Sequence, residues 1–124
     1  MTMQESIAAA QLRGPEIQAD GLAAFEFRFS KDDPTFAGHF PMRPVLPGVF
    51  QLEMARLVAE RVLNCSLALR EIPKAKFLRP ILPDELVRLH LKLSEKGDSI
   101  HARASFSVGG RPAGETLLVL WRNG

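Results

Sequence analysis

The sequence predicts an α+β fold in which an antiparallel sheet wraps around one central helix. Three observations carry this reading. One long helical stretch is apolar over most of its circumference, as a helix enclosed by other structure is. The segments after it switch to a period of two, the mark of strands with one buried face. Between them stand Gly97-Asp98 and Gly109-Gly110, residues that close tight hairpins and set consecutive strands antiparallel.

The elements follow in order. Ser6 to Leu12 has the composition of a short helix, and Gly14-Pro15 breaks it. From Leu22 to Phe29 the residues Phe25, Phe27 and Phe29 alternate with Glu26 and Arg28, which predicts a half-buried strand. Lys31-Asp32-Asp33-Pro34 is a turn. A Gly/Pro-rich loop runs from there to Pro47, which suits a helix start because its missing N–H would have no partner there.

The helix is expected from Gly48 to about Asn64, with a narrow polar stripe of Glu53, Arg56, Glu60 and Asn64. Lys74 to Leu78 predicts a strand ended by Pro80, and Pro83-Asp84 a turn. Leu86 to Leu93 and Ser99 to Val108 alternate cleanly, with Leu89, Leu91, Ala102, Ala104 and Phe106 among the inward positions. Thr116 to Trp121 is almost wholly apolar, as a strand covered on both faces would be. Strand, long loop, central helix, then four strands is the order of the hot-dog architecture, here expected as a single domain over 1–124.

Composition narrows the function. The chain has 124 residues, 46% apolar and 24% charged, with a net charge of +2. That is ordinary globular chemistry, far from the dense basic stripe of a nucleic-acid binder. Cys65 is the only cysteine, so disulfide frameworks and multi-cysteine zinc sites are excluded. The three histidines have no metal-ligand spacing, and no phosphate loop or nucleophile elbow is present. No metal or cofactor is expected. No run approaches the ~18 apolar residues of a membrane span and no signal peptide is legible, so a cytoplasmic protein without membrane or nucleic-acid partners is expected.

The segment from Gly38 to Glu53 carries the chemistry. It packs three prolines and two glycines around His39 and runs straight into the helix, and Glu53 follows His39 by fourteen positions. Taken singly, His39 reads as a structural loop histidine. Glu53 reads as a solvated carboxylate or a partner for Arg56 at i+3. Together they form an imidazole and a carboxylate flanking a helix N-terminus, the equipment of a general acid/base pair. The first N–H groups of that helix lack internal partners and sit at the positive end of its dipole. Amides at Gly48 and Val49 would polarise a carbonyl oxygen as an oxyanion hole does. The set suits proton abstraction α to a thioester carbonyl.

Gly38-His39-Phe40-Pro41, then Pro44-Val45-Leu46-Pro47-Gly48-Val49, then Glu53, resembles the signature of the β-hydroxyacyl-acyl-carrier-protein dehydratases. Lys76-Phe77-Leu78-Arg79-Pro80-Ile81-Leu82-Pro83-Asp84 is similar to that family's second strand and its Pro-rich turn. The resemblance implies that His39 removes the α proton of a 3-hydroxyacyl thioester. Glu53 then helps the β-hydroxyl leave as water, and a trans-2-enoyl thioester results. It implies that the Gly48 amide holds the thioester carbonyl, with Val49, Phe40 and Pro47 beside it. It further implies that the two catalytic side chains come from different subunits, so that a homodimer or larger assembly is required.

The implied partner is an acyl carrier protein bearing a phosphopantetheine-linked acyl chain. Arg43, Lys74, Lys76 and Arg79 are the basic residues expected to receive that acidic carrier. The chain departs from the pattern at Met42, where the family usually has glycine, and at Leu57, where it usually carries glutamine. A branch serving another acyl-chain pathway fits those departures. Two other readings share the fold: an acyl thioesterase, and a domain that binds acyl chains without turnover. His90 and His101 are expected on solvent-facing strand positions, and Cys65 in packing.

Overall fold

The computed structural model describes residues 1–36 and 44–123. His39, Phe40, Met42 and Arg43 lie outside the described residues. The elements are α1 (Met3–Ala10), β1 (Gln11–Ile17), β2 (Ala23–Arg28), a short 3-10 turn (Pro34–Phe36), α2 (Gly48–Leu63), β3 (Leu67–Phe77), β4 (Leu86–Lys96), β5 (Ser99–Val108) and β6 (Arg111–Arg122). The strands form one antiparallel sheet in the order β1-β2-β4-β5-β6-β3.

The helix lies on this sheet for reasons written in its side chains. Met54, Ala55, Val58 and Ala59 fall at i, i+1, i+4 and i+5, one helix face, and all are buried. They join a single cluster with Phe25 and Phe27 of β2, Leu89 and Leu91 of β4, Ala102 and Ala104 of β5, and Leu118 and Leu120 of β6. Small residues on both partners, Ala55 and Ala59 on α2 and the two alanines on β5, let helix and sheet approach closely. The helix ends at Asn64, whose left-handed backbone (φ 53°, ψ 47°) and N–H to the Glu60 carbonyl close the last turn. At the β5–β6 hairpin, Gly109 and Gly110 both have positive φ (58° and 77°), as a type I′ turn requires.

Two strands exceed the sequence expectation. β1 runs through Gly14-Pro15, where a break was expected. It is an edge strand, and an edge tolerates a proline that cannot donate to a ladder. Its pairing with β2 is irregular on both sides of Arg13. β3 begins at Leu67 rather than near Lys74. Pro73 lies in the irregularity between Glu71 and Lys74 on this second edge strand, so the proline interrupts the register without ending the strand. The start of the first helix is also earlier, at Met3, where Thr2 and Glu5 form a reciprocal capping box.

β6 is apolar for a different reason than expected. Its inner face is sealed, with Leu118 and Leu120 fully buried, but Trp121 on the outer face is 37% exposed. The Arg70 guanidinium lies 4.9 Å over that ring, a cation–π contact that shields part of it.

Candidate active site

The sequence builds the N-terminus of α2 without a side-chain cap. Pro47 occupies the N-cap position with extended backbone (φ −59°, ψ 141°) and makes no side-chain hydrogen bond to the first turn. Its carbonyl accepts from the Phe50 N–H at 3.0 Å. The Gly48 and Val49 N–H groups, the first two of the helix, have no partner within it. Upstream, the Leu46 N–H donates to the Ile81 carbonyl at 2.8 Å. That bond ties the chain entering α2 to the Pro-rich turn after β3.

A hollow of about 290 Å³ opens at this end of the helix, lined among others by Leu46, Gly48, Gln51, Phe77, Arg79 and Ile81. Glycine at its rim lets the Phe77 ring pack directly on the helix start: a Cβ on Gly48 would lie 2.9 Å from Cε2 of that ring, so a larger residue would have to push the half-exposed ring aside.

Glu53 faces a different hollow, of about 400 Å³, with Met3, Val49, Leu52, Arg56, Leu69 and Ile72 among its lining residues. Its carboxylate is held at both oxygens: Arg56 Nε donates to Oε1 at 2.5 Å, and Gln4 Nε2 of α1 donates to Oε2 at 3.3 Å. Arg56 also donates through one terminal nitrogen to Glu60 Oε2 and to the Leu67 carbonyl, each at 3.0 Å, while the Leu67 N–H donates back to Glu60 at 2.7 Å. The polar stripe of the helix is therefore a half-buried network that pins the start of β3 to α2. A single chain places Gly48 and Glu53 in separate hollows, with Val49, half exposed, in the second.

The expected carrier-docking residues are also dispersed. Arg79 lines the Gly48 hollow. Lys74 and Lys76 lie across from Leu117 and Glu115 on the outer face of the sheet, and Lys74 pairs with Glu115 at 3.2 Å. Pro47 is exposed at the helix start. His90 and His101 are half-buried on the strands, and Cys65 packs partly buried against the core. No group of three or more metal-ligating side chains occurs among the described residues, and no described helix is long and apolar enough to cross a membrane.

Gln51 is the residue that sequence reasoning passed over. It is 3% exposed, and its Oε1 has no hydrogen-bond partner among the described residues. One signal could have found it: Gln51 stands four before Ala55 and seven before Val58, in phase with the buried face of the helix.

An antiparallel sheet holding one long helix against its inner face, with that helix starting without a side-chain cap at a hollow, makes this a hot-dog protein. Residues 16–113 match the ApeI-like family, described as ApeI dehydratase, and the chain belongs to that family. Among named relatives, the 3-hydroxyacyl-acyl-carrier-protein dehydratase FabZ of Bartonella bacilliformis is 32% identical over 93 residues, which cover 68% of this chain. The chain spans only 60% of that relative's length. The dehydratase heterocomplex ApeI:P from Xenorhabdus doucetiae superposes with a TM-score of 0.73 at 24% identity, over 90% of this chain and 96% of that one. A hypothetical thioesterase from Streptococcus pneumoniae TIGR4, solved with coenzyme A, gives 0.68 at 10% identity over 88% and 86%. These two solved structures share the fold with this chain.

Proposed function

We propose that the protein dehydrates 3-hydroxyacyl thioesters, carried on acyl carrier protein, to trans-2-enoyl thioesters during acyl-chain synthesis. The observation that carries this reading is the uncapped start of α2. Among the described residues it leaves the Gly48 N–H without a partner at the hollow, with Val49 next to it, directly after a loop whose sequence resembles the dehydratase signature.

The residues divide the work as follows. The Gly48 amide, with Val49 beside it, holds the thioester oxygen and stabilises the negative charge that develops there as the α proton leaves. The His39 imidazole takes that proton from C2. The electron pair forms the C2=C3 bond, and the hydroxyl on C3 departs as water with a proton from Glu53, which must carry that proton in place of one of the hydrogen bonds it accepts from Arg56 and Gln4 in the free chain. Phe40 and Pro47 border the acyl group. The working unit, as the family resemblance implies, is a homodimer or larger assembly in which His39 of one copy meets Glu53 of another; the separate hollows of Gly48 and Glu53 in one chain support this reading. The protein acts in the cytoplasm without a metal or cofactor.

The test is a product assay with 3-hydroxyacyl-carrier substrates. Growth of enoyl-thioester absorbance with no free thiol supports the proposal. Release of thiol without enoyl product would assign a thioesterase instead, and binding without either product would assign an acyl-binding domain.

A further inference from the structure

We propose that Gln51 is a specificity residue that recognises the 3-hydroxyl of the bound acyl group. The inference rests on the dehydratase reading for the identity of the ligand, and on three observations of its own for the site.

The first is an uncompensated acceptor. Gln51 is almost completely buried, yet its Oε1 lacks a donor among the described residues. An orphaned buried acceptor is costly to the fold, and one that has no donor among the described residues is placed to take one from a ligand. The second is its position. Gln51 lies one helical turn from Gly48 and lines the same hollow, at the end of the helix where the free N–H groups receive a carbonyl oxygen. Three residues of α-helix rise about 4.5 Å. A 3-hydroxyacyl thioester carries its O–H two carbons from the carbonyl carbon, so a substrate whose carbonyl sits at Gly48 brings a donor within reach of position 51.

The third is the space cut for the side chain. A Cβ on Gly114 would lie 2.1 Å from Gln51 Oε1 and 3.1 Å from Cδ, so the carboxamide occupies room that only a glycine on β6 leaves. Thr116, two residues on and therefore on the same inner face of the strand, is 1% exposed, and its hydroxyl is also without a partner among the described residues. The lining around Gln51 is otherwise largely apolar, with Leu46, Phe77, Leu78 and Ile81. Rotated away from Gly114 toward the hollow, this acceptor discriminates between ligands that bring a donor and ligands that do not. The trans-2-enoyl product has lost its hydroxyl and with it this bond, so Gln51 retains substrate and lets product go.

Binding measured without turnover tests this. In a His39→Ala background, the dissociation constants of 3-hydroxyhexanoyl-pantetheine and hexanoyl-pantetheine are compared by calorimetry. The hydroxylated ligand is expected to bind about tenfold more tightly, the scale of one net hydrogen bond. Adding Gln51→Leu, or Gln51→Met as an unbranched alternative of similar volume, should erase that ratio while leaving the saturated ligand's affinity unchanged. Both variants should melt at or above the parent temperature, because each removes an orphaned acceptor. The proposal is overturned if the parent binds both ligands equally or not at all, if the ratio survives both substitutions, or if both ligands weaken together. Failure of the dehydratase reading is seen separately, as absence of enoyl product from the protein with His39 intact.

Discussion

The inner face of β6 at Gly114 and the Gln51 carboxamide are fitted to each other: a methyl group on Gly114 would stand 2.1 Å from Oε1, with the Lys76 carbonyl a further 3.1 Å neighbour. Helix start and sheet are thus coupled through one side chain. Gly114→Ala should therefore destabilise the protein by about 1–3 kcal/mol, the usual cost of overfilling a packed site. In a Gln51→Ala background the same change should cost much less, because the obstructing amide is gone. Urea denaturation of the four proteins gives the double-mutant cycle. Additive costs would show that Gly114 and Gln51 do not constrain each other.

The helix and the strands β2, β4 and β5 were legible because each obeys one period throughout. Phe25, Phe27 and Phe29 alternate and are buried, as expected. β1 and the first half of β3 were not legible, because both are edge strands that accept Pro15 and Pro73 and pair irregularly around them. Periodicity presumes an unbroken register. The candidate site divided along the same line. The helix start at Pro47-Gly48 could be read from local backbone chemistry. The ties from Glu53 to Gln4, and from Arg56 to the Leu67 carbonyl, join residues far apart in sequence or on different elements, and no local pattern records them. Gln51 was overlooked because a polar residue in phase with an apolar face looks like an interruption until its burial is known.

Glu53 is more than a solvated carboxylate, which changes what its substitution should do. Glu53→Gln keeps a hydrogen-bond acceptor for Arg56, and Arg56 retains Glu60 and the Leu67 carbonyl. The stability loss should stay near 1 kcal/mol or below. Turnover should nonetheless fall on the order of 10²-fold or more, the scale of losing a general acid, and His39→Ala should do the same. Thermal melts alongside kcat separate the two effects. Near-normal turnover in either folded variant would remove that residue from the mechanism.

Arg56 has the opposite balance. Arg56→Met removes three charge-assisted or carbonyl contacts at once: the Leu67 carbonyl loses the Arg56 donor, and Glu53 and Glu60 keep only Gln4 and the Leu67 N–H. A loss of about 1.5–3 kcal/mol is expected, since hydrogen bonds to charged groups lie in that range. Hydrogen exchange should rise first at the start of β3, which Arg56 and Glu60 together pin to α2. Unchanged protection at Leu67 would show that the network does not hold the strand.

Asp33 predicts an acid-sensitive joint between α1 and the segment after β2. Burial works against its charge, but hydrogen bonds from Thr35, whose N–H donates at 2.8 Å, and from Ser6 Oγ at 3.1 Å outweigh it and hold the carboxyl below its ordinary value. A carboxylate whose folded pKa is depressed contributes stability above the unfolded value, about 3.9 for Asp, and loses it as pH falls through the folded one. Asp33→Asn should therefore be less stable than the parent at pH 7, and the difference should shrink as pH drops below about 4. A gap that stays constant from pH 7 to pH 3 in urea melts would mean that the charge of Asp33 is not what Ser6 and Thr35 stabilise.

Assembly and carrier binding can be read in one pair of measurements. If His39 and Glu53 of different copies complete each site, mixing His39→Ala with Glu53→Gln subunits should restore part of the activity, because a mixed dimer holds one intact pair. An active monomer by light scattering would contradict this. The carrier's acidic surface needs exposed cations near the entrance to the site. Arg79 lines the Gly48 hollow, whereas Lys74 already spends its charge on Glu115. Reversal at Arg79 should therefore raise the KM for carrier-bound substrate more than reversal at Lys74, and leave turnover of the short pantetheine analogue nearly intact. Salt should act in the same sense, since exposed charges are screened within about 10 Å at 0.1 M: KM for the carrier substrate should climb steeply and that for the analogue barely move. Equal salt sensitivity of the two substrates would show that docking does not depend on these basic residues.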